Sequence, residues 1–174
     1  MIVADGSGCR WDIGAGWGGV VIDRHTRGRK LLSGGWSTGT ISIAEIMPFL
    51  EGLAWYNDNA AKAAREARFR AGKGDRVLRL HAISDSEMVC KQGNHQIGRD
   101  KMAPWWAAWS GLCRGGYVCK FHWTPGHEDG SYVGLHALVD HVGRTARMAN
   151  QNLTMADFLP ERPDSSVYHF NPSD

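Results

Sequence analysis

The spacing of apolar and polar residues changes several times along this chain, and each change marks an element. Residues 1–8 begin apolar and run into Asp5-Gly6-Ser7-Gly8, while 16–23 (GWGGVVID) and 29–36 (RKLLSGGW) are two further short β-type runs. The links between them are short and rich in Gly, Asp and Arg, which favours hairpins and an antiparallel meander of three strands. From Ser42 the period becomes helical. Ile43, Ile46, Met47, Leu50, Leu53 and Ala54 share a stripe, and Ser42-x-x-Glu45 reads as a capping box that starts the helix. Pro48 deletes one backbone hydrogen bond inside it, which predicts a bend in the first turns or a later start. The helix is expected to reach about Arg70, where Gly72-Lys73-Gly74 stops it.

A strand over 76–84 (RVLRLHAIS) follows that helix, and strand, helix, strand implies a crossover with parallel pairing. A short helix from Ser86, a second over 101–114 carrying Trp105, Trp106 and Trp109, a strand over 117–123 and a last helix over 132–150 complete the body. The order βββαβααβα describes an α/β protein with a five-stranded mixed sheet, three antiparallel strands then parallel ones, flanked by helices. Residues 1–150 form one domain. Residues 151–174 hold Pro160, Pro163 and Pro172 with Arg162 against Asp157, Glu161, Asp164 and Asp174, and read as a tail that wraps or frays.

Composition narrows the class. With 43% hydrophobic and 22% charged residues among 174, the chain is globular rather than disordered. Its 22 glycines are well above the usual ~7% but follow no G-X-Y period, which excludes collagen and points to tight turns or close backbone approaches. A formal charge of +2 gives no strong nonspecific affinity for polyanions, so a nucleic-acid partner needs a local patch. No window approaches ~18 consecutive apolar residues and the start lacks a basic, then apolar, leader, so a cytoplasmic protein with no membrane partner is expected. Cys9, Cys90, Cys113 and Cys119 form no C-x-x-C pair and read as reduced thiols.

Four carboxylates occupy unusual places. Asp5 lies in or at the end of a strand that should be central, a poor place for Asp. Glu45 points from the first turn of the long helix, and Asp85 sits just beyond the crossover strand, where parallel βα units build sites. Asp140 lies on or beside the buried stripe of the final helix. Singly, each has an ordinary structural use as a cap, turn or solvated residue. Jointly, hard oxygen ligands from separate elements suit Mg²⁺ or Mn²⁺, and paired ions ~3.5–4 Å apart serve in-line phosphodiester displacement.

With these residues the chain resembles a type 1 ribonuclease H. The likeness rests on Asp5-Gly6-Ser7 with the Gly-rich 14–19, Ile43-Ala44-Glu45-Ile46, Ser84-Asp85-Ser86, and His122-Trp123-Thr124-Pro125-Gly126-His127 followed by Val139-Asp140, over roughly residues 1–148. It implies the ribonuclease H-like fold and a monomer that hydrolyses the RNA strand of an RNA–DNA hybrid with two Mg²⁺ ions, for which Mn²⁺ substitutes, leaving 3′-hydroxyl and 5′-phosphate ends. It also implies that Asp5 bridges both metals, that Asp140 completes the site activating water, and that Glu45 and Asp85 hold the metal at the leaving oxygen. His127 is similar to the family histidine that assists proton traffic or product release.

The resemblance further places Gly6, Ser7, Thr40, Ser42 and Ser86 against substrate, Thr40 at a phosphate of the DNA strand and Ser42 at a 2′-hydroxyl. Where the family often carries Asn and Gln, this chain has Ile41, Ser42 and Glu87. The pairs His122/His127 and His136/His141 lack a Cys or acid at zinc spacing. Lys62, Arg65, Arg68, Arg70, Lys73, Arg76 and Arg79 form a basic stretch that reads as a solvated helix end. At least two of the three tryptophans over 105–109 are expected in the core. Two other readings are a nuclease or strand-transfer enzyme of this fold acting on DNA, and a noncatalytic hybrid-binding module.

Overall fold

The computed structural model describes residues 1–8, 14–36, 40–72, 77–114, 116–125 and 132–149. Five strands, β1 (Ile2–Gly8), β2 (Ala15–Ile22), β3 (Arg29–Trp36), β4 (Leu78–Ser84) and β5 (Tyr117–Trp123), form one sheet in the order β3-β2-β1-β4-β5. β1 to β3 are an antiparallel meander, with Asp5 opposite Gly18, and β1, β4 and β5 run parallel. The expected mixed sheet is therefore present with β1 at its centre. Asp23 shapes the β2–β3 turn: its carboxylate accepts from the His25 N–H at 3.0 Å and the Thr26 hydroxyl at 2.8 Å. Such local bonds are how a short acidic side chain fixes a turn.

Alternation along β1 divides the core into two layers. Ile2 and Ala4 face α1 (Ile41–Asn59) and α4 (Ala103–Cys113), where Ile46, Phe49, Leu53, Leu80, Trp106, Trp109 and Phe121 pack together. Val3 faces the other way, with Val20, Leu31 and Ile83 against Leu135, Val139 and Val142 of α5 (Val133–Ala149). Each large apolar side chain fully buried contributes about 1.5–3 kcal/mol relative to exposure. Trp106 and Trp109 meet Phe121 edge-on, and the Trp106 Nε1–H donates to Gln92 Oε1 at 2.9 Å. Two of the three tryptophans are thus core residues, while Trp105 is half-buried.

Several expected boundaries move. The first helix starts at Ile41 with Thr40 as its cap, whose Oγ1 accepts from the Ile43 N–H at 3.4 Å, so the Ser42–Glu45 capping box does not form. Thr40 is the last extended residue, and Ser42 lies inside the first turn, where a hydroxyl no longer caps. α1 continues through Pro48, so its start precedes rather than follows the proline. The single helix to Arg70 is two: Ala60 leaves helical geometry, and α2 (Ala61–Arg70) turns Ala61 and Ala64 onto Leu78. The short helix is α3 (Glu87–Gly93) with Ser86 as N-cap, and a 3₁₀ turn over Asp100–Met102 precedes α4. The tail lies outside the described residues.

No helix among the described residues is long and apolar enough to cross a membrane. The basic residues of α2 sit by Leu78, at the start of β4, with Arg65 over the Tyr117 ring at 5.2 Å. Asp85 follows the other end of that strand, about 20 Å away at ~3.3 Å per residue. The basic residues of α2 are therefore remote from the acids.

Candidate active site

Two glycines let helices close on the strand that carries Asp5. A β-carbon on Gly6 would stand 2.7 Å from the Glu45 nitrogen and 2.8 Å from the Ala44 carbonyl carbon, so only glycine lets the first turns of α1 lie this close to β1. On the opposite face, a β-carbon on Gly18 would overlap the Val139 carbonyl oxygen of α5. Gly18 is the cross-strand partner of Asp5. The same contact that seats α5 therefore sets Asp140, the next residue, beside Asp5. Asp85 is held from behind. Trp123 Nε1–H donates to the Asp85 carbonyl at 2.9 Å, and the Ser86 N–H donates to Ser84 Oγ at 2.9 Å.

The outcome is a tight acidic group. One carboxylate oxygen each from Asp5, Glu45 and Asp85 lies within 4.8 Å of the others. Burial pushes the Asp5 carboxyl up to about 7, with the charges of Asp85 and Asp140 adding to it and the Gly6 N–H partly opposing. Burial pushes Glu45 up to about 9, and Asp5 and Asp85 raise it further against hydrogen bonds from Gly6 and Ser84. Glu45 Oε2 is buried without a hydrogen-bond partner. A buried carboxylate oxygen left unsatisfied is costly. A divalent cation fits such a set: it supplies the missing partner and offsets the mutual repulsion, and carboxylate oxygens are the donors Mg²⁺ and Mn²⁺ prefer.

Asp140 stands beside this group rather than within it. Arg144, one turn along α5, donates from Nε to Asp140 Oδ1 at 2.8 Å and makes a second bond from Nη2 to Oδ2. The aspartate side chain is 15% exposed against 54% for the arginine, so the pair sits at the rim. Asp140 still acts on Asp5 electrostatically.

The other anticipated residues are spread around this group. Gly6 lies under α1, Ser7 is buried on β1, Thr40 is exposed at the α1 cap, and Ser42 and Ser86 are half-buried. Glu87 points outward and pairs with Lys91 at 2.8 Å. His127 lies outside the described residues. His122 meets His81 across β4 and β5, Nε2 to Nδ1 at 2.9 Å, and buried His136 meets the Thr124 hydroxyl at 2.7 Å. Two residues escaped sequence reasoning. Arg144 carries a signal, its i+4 spacing from Asp140 on a helix. Ser84, wholly buried and bonded to both Glu45 and Ser86, carries none, because both contacts are tertiary or turn-specific.

No family model and no curated protein matches this chain. Solved structures do. The N-terminal RNase H domain of a Mycobacterium tuberculosis protein, solved fused to maltose-binding protein, is similar at a TM-score of 0.59 and 16% identity, covering 86% of this chain and 94% of that one. RNase H1 from the halophilic archaeon Halobacterium salinarum gives 0.57 and 16%, over 83% and 94%. LC11-RNase H1, solved in complex with an RNA/DNA hybrid, gives 0.55 and 15%, over 83% and 94%. The strand order, the helices on both faces and these likenesses together show that the chain has the ribonuclease H-like fold.

Proposed function

We propose that this protein is a metal-dependent endoribonuclease that hydrolyses the RNA strand of RNA–DNA hybrids, leaving 5′-phosphate and 3′-hydroxyl ends. The observation that carries this reading is the convergence of Asp5, Glu45 and Asp85 around an unsatisfied, buried Glu45 Oε2, on a fold whose solved examples include RNase H1. Asp5, Glu45, Asp85 and Asp140 would hold two divalent ions, Mg²⁺ or Mn²⁺. When bound, these supply activation of the attacking water and charge stabilisation at the leaving 3′-oxygen. Asp5, central on β1, would contribute to holding both ions. Glu45 and Asp85 would hold the ion on the leaving-group side and Asp140 would complete the one on the water side.

The chain's remaining groups bind and orient. Thr40, exposed at the start of α1, donates its hydroxyl to a phosphate of the DNA strand. Ser42 meets a 2′-hydroxyl in the shallow minor groove, where RNA is told from DNA. Gly6, Ser7 and Ser86 line the approach to the scissile phosphate. His127 accepts and passes a proton, which a neutral imidazole does near pH 7. The protein acts as a monomer in the cytoplasm, and its domain spans 1–150.

The test is one cleavage assay with labelled RNA–DNA hybrid, double-stranded RNA, single strands and duplex DNA, in Mg²⁺ or Mn²⁺, beside Asp5→Asn and Asp85→Asn. Metal-dependent cleavage of the hybrid alone, lost in both variants, is the expected result. Preference for duplex DNA would favour a DNA-acting enzyme of this fold, and hybrid binding without cleavage a noncatalytic module.

A further inference from the structure

Far from the acids, two of the four cysteines meet. Cys113 is the last residue of α4 and Cys119 the third of β5, and the intervening turn, with Gly116 at φ +90°, folds the chain back on itself. Their sulfurs lie 3.5 Å apart. Both side chains are half-buried, and both edge an open cleft of about 420 Å³ also lined by His95, Arg99, Ser110 and Arg114. Arg99 is fixed there: its Nε–H donates to the Gln92 carbonyl at 2.8 Å, an Nη2–H to that of Gly93 at 3.1 Å, and its guanidinium lies 4.4 Å over Trp106. Arg114 is exposed. The cleft thus offers two thiols beneath fixed and free positive charge.

We propose that Cys113 and Cys119 are a redox-active dithiol that closes to a disulfide by exchange with a small anionic disulfide of the glutathione type. A disulfide needs its sulfurs ~2.0 Å apart, so closure brings them ~1.5 Å nearer than the 3.5 Å seen here. The hydrogen bond from the Cys119 thiol favours the Cys113 thiolate, which makes Cys113 the attacking residue and Cys119 the resolving one. The Cys113 thiolate, its proton released to solvent, attacks one sulfur of the small disulfide. That S–S bond breaks, one small thiolate leaves and is protonated, and a mixed disulfide remains. Cys119, deprotonated in turn, attacks the Cys113 sulfur and expels the second small thiolate. The two protein thiols lose two electrons, which the small disulfide gains as two thiols. Cys90 takes no part: it is buried, and burial pushes its thiol up to about 12.

The test exposes the full chain to glutathione disulfide at pH 8, followed by acid quench, thiol titration in denaturant and peptide mass mapping. A fall from four titratable thiols to two, a single linkage joining Cys113 to Cys119, and reversal by dithiothreitol support the site. Cys119→Ser stops at a mixed disulfide on Cys113, whereas Cys113→Ser leaves Cys119 a free thiol over the same time. Glutathione disulfide reacts faster than cationic cystamine at equal concentration. Retention of all four thiols, a persistent mixed disulfide on the unsubstituted chain, a linkage through Cys9 or Cys90, or equal rates for the two reagents would overturn it.

Discussion

A β-carbon on Gly18 would fall on the carbonyl oxygen of Val139, and that missing methyl group is what lets α5 bring Asp140 to Asp5. The obstructing atom is backbone, so no rotamer change relieves the clash. Gly18→Ala therefore displaces α5, costing about 1–3 kcal/mol as overpacking does. If the acids work together, hybrid cleavage falls by roughly tenfold or more even where the variant remains folded, because small misplacements of catalytic groups are costly. Urea midpoints beside initial rates measure both; a lower midpoint with an unchanged rate would show that α5 does not position the chemistry.

Neutralising a carboxylate separates the structural cost of the site from its use. Glu45→Gln removes a buried carboxyl that on folding must take up a proton or else bear burial and the repulsion of Asp5 and Asp85. In chelator at pH 8 the variant melts above the parent, by about 2–4 °C if ~1 kcal/mol of this cost is relieved. It loses hybrid cleavage and the stabilisation that Mn²⁺ gives the parent. Melting scans with and without Mn²⁺ test this, and an unchanged Mn²⁺ response would remove Glu45 from the ligand set.

The same burial and repulsion predict a pH dependence. Asp5 and Glu45 titrate near 3.8 and 4.5 when unperturbed, and near about 7 and about 9 in the fold. The native state holds these protons more tightly than the unfolded one, so stability falls as pH rises from about 4 toward 9. In chelator the urea midpoint decreases from pH 5 to pH 9; saturating Mg²⁺ flattens the decline, because the cation takes the place of the protons. A midpoint that rises over this range in chelator would contradict the assignment.

Arg144 competes with any cation for Asp140. Arg144→Gln frees both oxygens, and Mn²⁺ titration followed by calorimetry shows tighter binding with little change in stability, since rim ion pairs contribute little. Weaker binding would mean that the guanidinium orients the aspartate for the metal instead.

Strand boundaries were readable where turn chemistry was explicit. β3 and β5 fall on 29–36 and 117–123 because Gly and charged residues bound each run. Helix ends were less so. Thr40 and Ser42 are both capping residues, and only the extended backbone at Thr40 decides between them. The break at Ala60 is silent, because alanine favours helix on either side and the break is set by the packing of Ala61 and Ala64 on Leu78. Asp5, Glu45, Asp85 and Asp140 stood out jointly, as acids on separate elements in places either unfavourable to a carboxylate or specially exposed. Ser84 did not, since a serine closing a strand is ordinary until Glu45 arrives from another helix.

The sheet order also dictates a sequence of events. β1, β2 and β3 pair through short turns, whereas β1 and β4 pair only after two strands and two helices have been threaded between them. Loop closure costs entropy that non-local contacts recover late, so local pairings lead during folding. A nascent chain holding only the meander possesses Asp5 but neither Glu45 nor Asp85 beside it. The three-carboxylate group is therefore a property of chains whose parallel half has closed, and a partly folded chain lacks it.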